Sequence, residues 1–196
     1  LFQQEQKRRW QLESVRTVSE EITRELDLGK LLGLIHHRAA DRVEAVSGTI
    51  YLWDEAAGIL LPKAWYGLGP WVGEAPIRPG EGIPGRVAER REGLVVNDYK
   101  TAAIANPLFQ ARTEITAVLA EPLLYHDRLV GVISLNHEEY GRAFAEEDQQ
   151  ILRLFAAHAA IAIENARLYR EVQEHAVALV ELAAGHSDVA AITAAM

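Results

Sequence analysis

From Phe144 to about Ala184 the chain carries one unbroken helical pattern, and no other feature narrows its possible folds as much. At 1.5 Å per residue such a helix is about 60 Å long, roughly twice the diameter of a small domain. Glu146, Glu147 and Asp148 suit the positive end of its dipole. Residues 151–163 are apolar enough to be buried in a domain. The second half keeps Ile161, Leu168, Val172, Leu179 and Leu182 on a narrow seam that also holds Asn165 and His175. Half of the helix must therefore protrude, and a protruding seam needs a partner helix. One candidate is the N-terminus of the same chain, where Leu12, Val15, Ser19, Ile22 and Leu26 alternate in spacings of three and four. The other is a second copy, giving a homodimer joined through N- and C-terminal helices. In either case Ser19, Asn165 and His175 would set the register.

Composition removes several classes of function. The net charge of −8 disfavours nucleic acid and anionic membranes as partners, because both attract basic surfaces. The absence of cysteine excludes disulfides, thiolate catalysis, zinc–sulfur sites and thioether attachment of a chromophore. No apolar run approaches the roughly 18 residues of a membrane helix, and the first residues lack a signal-peptide core. The chain reads as a piece of a longer cytoplasmic protein.

Asp27 can cap a second helix over about 28–46, with Leu31, Leu32, Leu34, Ile35, Ala39 and Val43 on its apolar face. His36 and His37 point about 100° apart, cannot share a metal, and read as surface or partly packed side chains. Residues 49–53 and 59–66 form a hairpin about an Asp54–Gly58 turn. Residues 67–79, rich in Gly and Pro, form a connection holding one short edge strand. Residues 118–125 and 129–137 make two more strands. In the second, Val130 and Val132 fall on one face and Leu129, Ile133 and Leu135 on the other. A strand covered on both sides belongs near the centre of a sheet. Its first face turns polar at Ser134 and Asn136.

Gly80, Gly82 and Gly85 spell G-x-G-x-x-G, a dinucleotide-binding turn. Two prolines, Pro76 and Pro79, break the strand that should precede it. Pro84 removes a backbone N–H from the turn itself, and no acidic residue stands about 20 positions on to hold a ribose. The stretch instead turns the chain into a short helix, with Pro84 in its first turn and Gly93 ending it, ahead of a brief strand at 94–96. Residues 97–116 then lack a strong period, as expected of a functional loop or a lid with its own small helix. Pro107, Leu108 and Phe109 would pin it down.

Four blocks resemble a GAF domain. They are Gly80-Glu81-Gly82-Ile83-Pro84-Gly85-Arg86-Val87-Ala88 with Val95-Val96-Asn97-Asp98; Glu121-Pro122-Leu123-Leu124; Arg128 to Leu135; and Phe144-Ala145-Glu146-Glu147-Asp148 leading to residues 159–169. They stand in the family's order. The resemblance implies an α+β fold, PAS-related, with a central antiparallel sheet of five or six strands. The end helices would pack on one face, and a small-molecule pocket would lie under loops on the other. The domain would span 28–169, with a signalling helix over 1–27 and a coiled-coil-like linker over 170–196 leading to an output domain such as a histidine kinase. The family's cyclic-nucleotide signature is not visible, and there is no cysteine for a covalent bilin or for the methionine-sulfoxide reductase version of the fold. The resemblance leaves the cofactor unknown and a non-covalent small ligand possible.

By the same likeness Val132, Ser134 and Asn136 face the ligand, with Val118 and Ala120 beside them. Tyr51, Trp53 and Trp65 form either an aromatic wall or plain core. Asn97 and Asp98 lead into the lid, where Asp98 either caps the segment or touches ligand, and Phe109 anchors it. Glu121 takes a position usually apolar, so it meets a polar ligand group or an ion-pair partner. No catalytic motif is present, and a regulatory domain is expected rather than an enzyme. Two readings stay open: a small-molecule sensor that moves its end helices, and a ligand-free dimerisation and relay module.

Overall fold

The computed structural model describes residues 28–194, with side chains described for 28–175. The helix expected over 1–27, with its seam residues Leu12, Val15 and Ile22, lies outside the described residues, as do the side chains of Leu179 and Leu182.

The first described helix, α1 (Leu28–Val43), turns Leu32, His36, Ala39, Ala40 and Val43 inward at helical spacing. It stops three residues before the expected 46, because Glu44 takes a positive φ of 53° and bends the chain away. Strands β1 (Ser47–Asp54) and β2 (Ile59–Tyr66) form the expected hairpin, and Asp54 Oδ1 accepts from the backbone of Ala57 at 3.0 Å. A short 3-10 turn (Pro70–Glu74) follows, and Ile77 bridges back to Leu60. Helix α2 (Gly82–Arg90), strand β3 (Leu94–Val96), helix α3 (Pro107–Arg112), strands β4 (Ala117–Tyr125) and β5 (Arg128–His137) and helix α4 (Glu146–Ala194) complete the order.

The five strands run antiparallel in the order β2-β1-β5-β4-β3, so β5 lies at the centre, where its two-sided apolar pattern puts it. Helices α1 and α4 cover one face around Leu32, Ile50, Leu119, Ile133, Leu135 and Leu152. The other face carries Tyr51, Leu60, Val87, Val118 and Val132 beneath α2, α3 and the loops. Leu129 and Val130 do not follow the simple alternation. Leu123 pairs with Gly131 but Leu124 pairs with Leu129, which leaves Val130 as a bulge. An extra residue in one strand inverts the faces beyond it. Val130 therefore joins the helix-face core and Leu129 the opposite one, the reverse of the expectation.

The glycine-rich stretch does turn the chain into a helix, with Gly80 and Gly82 at φ of 79° and 60°, values that side-chain-bearing residues adopt rarely. Gly93 is not the stop, however. Arg91 closes α2 in the left-handed conformation, its N–H reaching the carbonyl of Val87 at 2.8 Å. Helix α4 begins at Glu146 rather than Phe144, and the Asp148 carboxylate caps it by accepting from the Ala145 N–H at 2.8 Å. Among the described residues no helix is long and apolar enough to cross a membrane.

Candidate functional site

Residues 97–116 form a lid over the sheet face opposite the long helix. Its two roots are tied together and to the sheet: Tyr99 N–H donates to Thr116 O at 2.9 Å, and Thr116 N–H donates to His137 O at 2.8 Å. Within the lid, Asn106 caps α3 by accepting from Leu108 N–H at 2.9 Å, and Pro107 occupies the first helical turn. The same amide donates to Glu81 Oε1 at 3.0 Å, and the Asn106 N–H reaches the Tyr99 hydroxyl at 3.2 Å. Phe109 packs edge-on to Trp71 at 4.9 Å, and the Arg112 guanidinium lies 5.4 Å over the same indole. The lid is pinned at both ends and in the middle.

Beneath it is a small cavity. Its floor is Thr49 and Tyr51 from β1, Val118 from β4, and Ser134 and Asn136 from β5; Ile77, Ile83, Pro84, Tyr99, Asn106, Phe109 and Ile115 close it. Thr49 and Ser134 are direct cross-strand partners, so their hydroxyls project side by side from the same face. Asn136 donates to Ser47 Oγ at 3.1 Å, which fixes its amide. The free volume is about 20 Å³, room for one water. No carboxylate, histidine or cation lines it. Burial pushes the Tyr51 hydroxyl well above the usual tyrosine range and raises that of Tyr99, so both stay protonated. The cavity is thus neutral, with hydroxyl and amide groups at one end and apolar walls elsewhere.

The expected site residues divide. Tyr51, Phe109, Val118, Ser134 and Asn136 come together around the cavity. Ala120 and Val132 are fully buried on the same face but do not line it. Trp53 and Trp65 are half-buried at the margin of that core, with Trp65 lying over Gly73. Three residues fall elsewhere. Glu121 lies on the helix face, because odd-numbered positions of β4 point that way. Its carboxylate is 3% exposed, accepts from Gln149 Nε2 at 2.8 Å and lies 3.5 Å from the Arg153 guanidinium. A Cβ at Gly93 would come within 1.9 Å of this carboxylate, and that close approach is the reason for a glycine there. Asn97 is exposed and grips the start of the α4 segment: its Nδ2 donates to Phe144 O at 3.1 Å and its Oδ1 accepts from Phe144 N–H at 2.8 Å. Asp98 is exposed, and only its backbone carbonyl serves the turn, accepting from Thr101 and Ala102 at 3.1 Å each. Capping falls to Asn106 instead.

Two histidines are buried, and one of them, His36, was expected at the surface or partly packed. His36 is 1% exposed, not a surface group; its Nε2 donates to the carbonyl of Ser134 at 3.4 Å, and its ring meets Tyr66 at 4.7 Å. Burial pushes it down to about 4. His137 stacks on Phe144 at 4.1 Å and is likewise lowered by burial, while Asp148 and Glu139 oppose the shift. Thr49, Ile77, Ile83, Pro84, Tyr99, Asn106 and Ile115 line the cavity without having been anticipated. Asn106-Pro107 carried a legible signal, a capping residue followed by proline. Thr49 and Tyr99 needed the strand register and the lid path.

Among the described residues no three carboxylates or histidines are grouped to hold a metal. A model of the GAF domain family matches residues 25–164 of the chain. Solved structures agree in fold. The GAF domain of a phosphoenolpyruvate-protein phosphotransferase from Coxiella burnetii is 23% identical, covering 82% of this chain and 96% of that one, with a TM-score of 0.68. The second GAF domain of DevS from Mycobacterium smegmatis is 19% identical, covering 74% and 99%, at 0.62. A free methionine-R-sulfoxide reductase from Neisseria meningitidis, solved with its substrate, is 19% identical, covering 76% and 86%, at 0.64.

Proposed function

The chain belongs to the GAF domain family, and from that premise we propose that it is the small-molecule-sensing regulatory domain of a larger cytoplasmic signalling protein, such as a histidine kinase. It relays the state of its pocket through the end helices of a homodimer to an output domain. The observation that carries this reading is the buried polar pair Thr49 and Ser134, with Asn136 beside it, set on two central strands beneath a hydrogen-bonded lid. Polar groups placed at one end of an apolar site orient a ligand. The neutral lining selects an uncharged molecule that offers hydrogen-bond donors and acceptors at one end and an apolar body.

The cavity has room for only one water, whereas small-molecule sites usually enclose about 300 Å³ or more. Entry therefore requires the lid to lift, with Phe109 leaving its place against Trp71. Catalysis of the sulfoxide-reductase kind is not proposed here, since that version of the fold uses cysteine and this chain has none. The small cavity also favours a second reading, a ligand-free relay module. Thermal unfolding against a panel of neutral metabolites separates the two. A shift of several degrees that disappears in Ser134→Ala supports the sensor. No shift in the parent chain, or one that Ser134→Ala leaves unchanged, favours the relay.

A further inference from the structure

Strand β3 is only three residues long and pairs with β4 no further than Leu94 opposite Ala120. Among the described residues no strand covers the outer edge of β4 from Glu121 to Leu124. There β4, α4 and the residues that follow α2 surround a groove of about 460 Å³, within the range of small-molecule sites. It lies on the side of α4 and shares no residue with the lid cavity. Unlike that cavity it is already open, so a ligand can enter without moving the lid.

Four charged residues line the groove: Arg91 and Glu92 after α2, Glu121 on β4 and Arg153 on α4. Glu121 alone is buried, at 3% exposed. Both of its polar contacts fall on one oxygen: Gln149 Nε2 donates to Oε1 at 2.8 Å, and Arg153 Nη2 stands 3.5 Å from the same atom. Oε2 accepts no hydrogen bond from the described residues. A carboxylate offers roughly four acceptor sites, and a buried one with an idle oxygen is costly unless something else fills it. The Arg153 contact is longer than a hydrogen bond, and that guanidinium is 63% exposed, so most of its donors are free as well. Arg91 is anchored by Nη1 donating to the carbonyl of Asp127 at 3.1 Å, which leaves its other N–H groups for a ligand.

We propose that this groove binds a free α-amino acid with an apolar side chain, its ammonium on Glu121 Oε2 and its carboxylate on Arg153 and Arg91. A simple anion is repelled by Glu121 and Glu92, and a simple cation by Arg91 and Arg153; a molecule carrying both charges meets a partner for each. In an α-amino acid the two charged groups hang from one carbon, which suits a carboxylate and a guanidinium only 3.5 Å apart. In a peptide they stand at opposite ends of the chain. Pro122, Leu124 and Ala157 supply carbon surface for the side chain. The site goes beyond the sensing role proposed for the lid cavity and does not depend on it.

L-Leucine is the probe, added to the 196-residue chain and followed by calorimetry and by backbone amide NMR shifts. Saturable binding in roughly the millimolar range or tighter is expected, with the shifts concentrated at residues 91–93, 121–124 and 149–157. Glu121→Gln keeps an acceptor for Gln149 but loses the charge, and Arg153→Gln alters a mostly exposed side chain. Each is expected to weaken leucine about tenfold or more. Leucinamide, which lacks the carboxylate, and N-acetyl-leucine, which lacks the ammonium, should lose at least as much. Ser134→Ala, in the lid cavity, should leave leucine binding unchanged. No saturable binding at about 10 mM overturns the proposal. Binding that survives both charge variants overturns it too, as does equal affinity for either leucine derivative. Binding that Ser134→Ala removes overturns the groove and places leucine in the lid cavity, so the two sites fail separately.

Discussion

Both faces of the sheet carry a cluster of buried apolar residues, yet they treat polar groups in opposite ways. On the helix face, among the described residues, the buried carboxylates are paired: Glu121 meets Gln149 and Arg153 and Glu164 meets Arg128 and Arg167, while His36 meets a carbonyl and Tyr66, and His137 stacks on Phe144 with its Nδ1 left without a hydrogen bond. On the lid face no ionisable acid or base lines the cavity apart from two tyrosines held protonated, and the buried polar groups are hydroxyls and amides around a small free space. A buried charge left unpaired is costly, so the two buried carboxylates sit where α4 supplies partners, joined by Arg128 of β5. Neutral groups carry a smaller desolvation cost and need no such partners.

The largest effect should come from truncating the helix-face core. Leu152→Ala, at a fully buried position, is expected to cost about 3 kcal/mol in denaturant unfolding, whereas Phe109→Ala, in the lid, should cost less globally and speed hydrogen exchange chiefly over 97–116. Equal global losses would erase the contrast between the faces.

Next in size is the response to acid. His36 lies at about 4 in the fold against 6.5 in the unfolded chain, so between those values the unfolded state binds more protons. Stability is then level above pH 6.5 and falls on the order of 3 kcal/mol as pH drops towards 4, beyond which His36 adds nothing further. His36→Gln should flatten most of that slope, leaving a smaller one from His137, which burial moves in the same direction. Urea midpoints across this range decide it, and an unaltered slope in the variant would remove His36 from the account.

The smallest stability effect is expected at the cavity floor. Ser134→Ala should change unfolding free energy by about 0.5 kcal/mol or less, because its hydroxyl faces a space rather than a packed neighbour. A loss comparable to Leu152→Ala would mean that the lid face is as tightly built as the helix face.

Much of this was readable along the chain. The hairpin at 49–66, the centrality of β5, the short helix after Gly82 and the small helix inside the lid all follow from local period and turn residues. Tyr51, Val118, Ser134, Asn136 and Phe109 were legible as a group through the resemblance to the family; alternation by itself joined only Ser134 with Asn136, and the apolar run at 107–109 had to anchor somewhere. Asn97 and Asp98 lie away from the cavity because polar residues near a pocket in sequence can serve the frame, and Glu121 takes the ion-pair alternative of its two readings. Asn97 holds the chain entering α4, and Glu121 points through the sheet to the other side.

What the sequence determined by itself is the set of elements and their periodicities, since dihedral preference and side-chain alternation act within a few residues. It also determined that α4 must outrun its domain, because length and an uninterrupted pattern suffice for that. The tertiary structure alone decided which face each strand residue serves. The bulge at Val130 reverses the alternation, and its position depends on pairing with β4 across the hairpin. Only the packed fold brings Gly93, Glu121, Gln149 and Arg153 together from three separate elements, and only the path of the lid closes Asn106 and Tyr99 over Thr49 and Ser134. Contacts between distant segments depend on how the layers stack, and no local pattern encodes that.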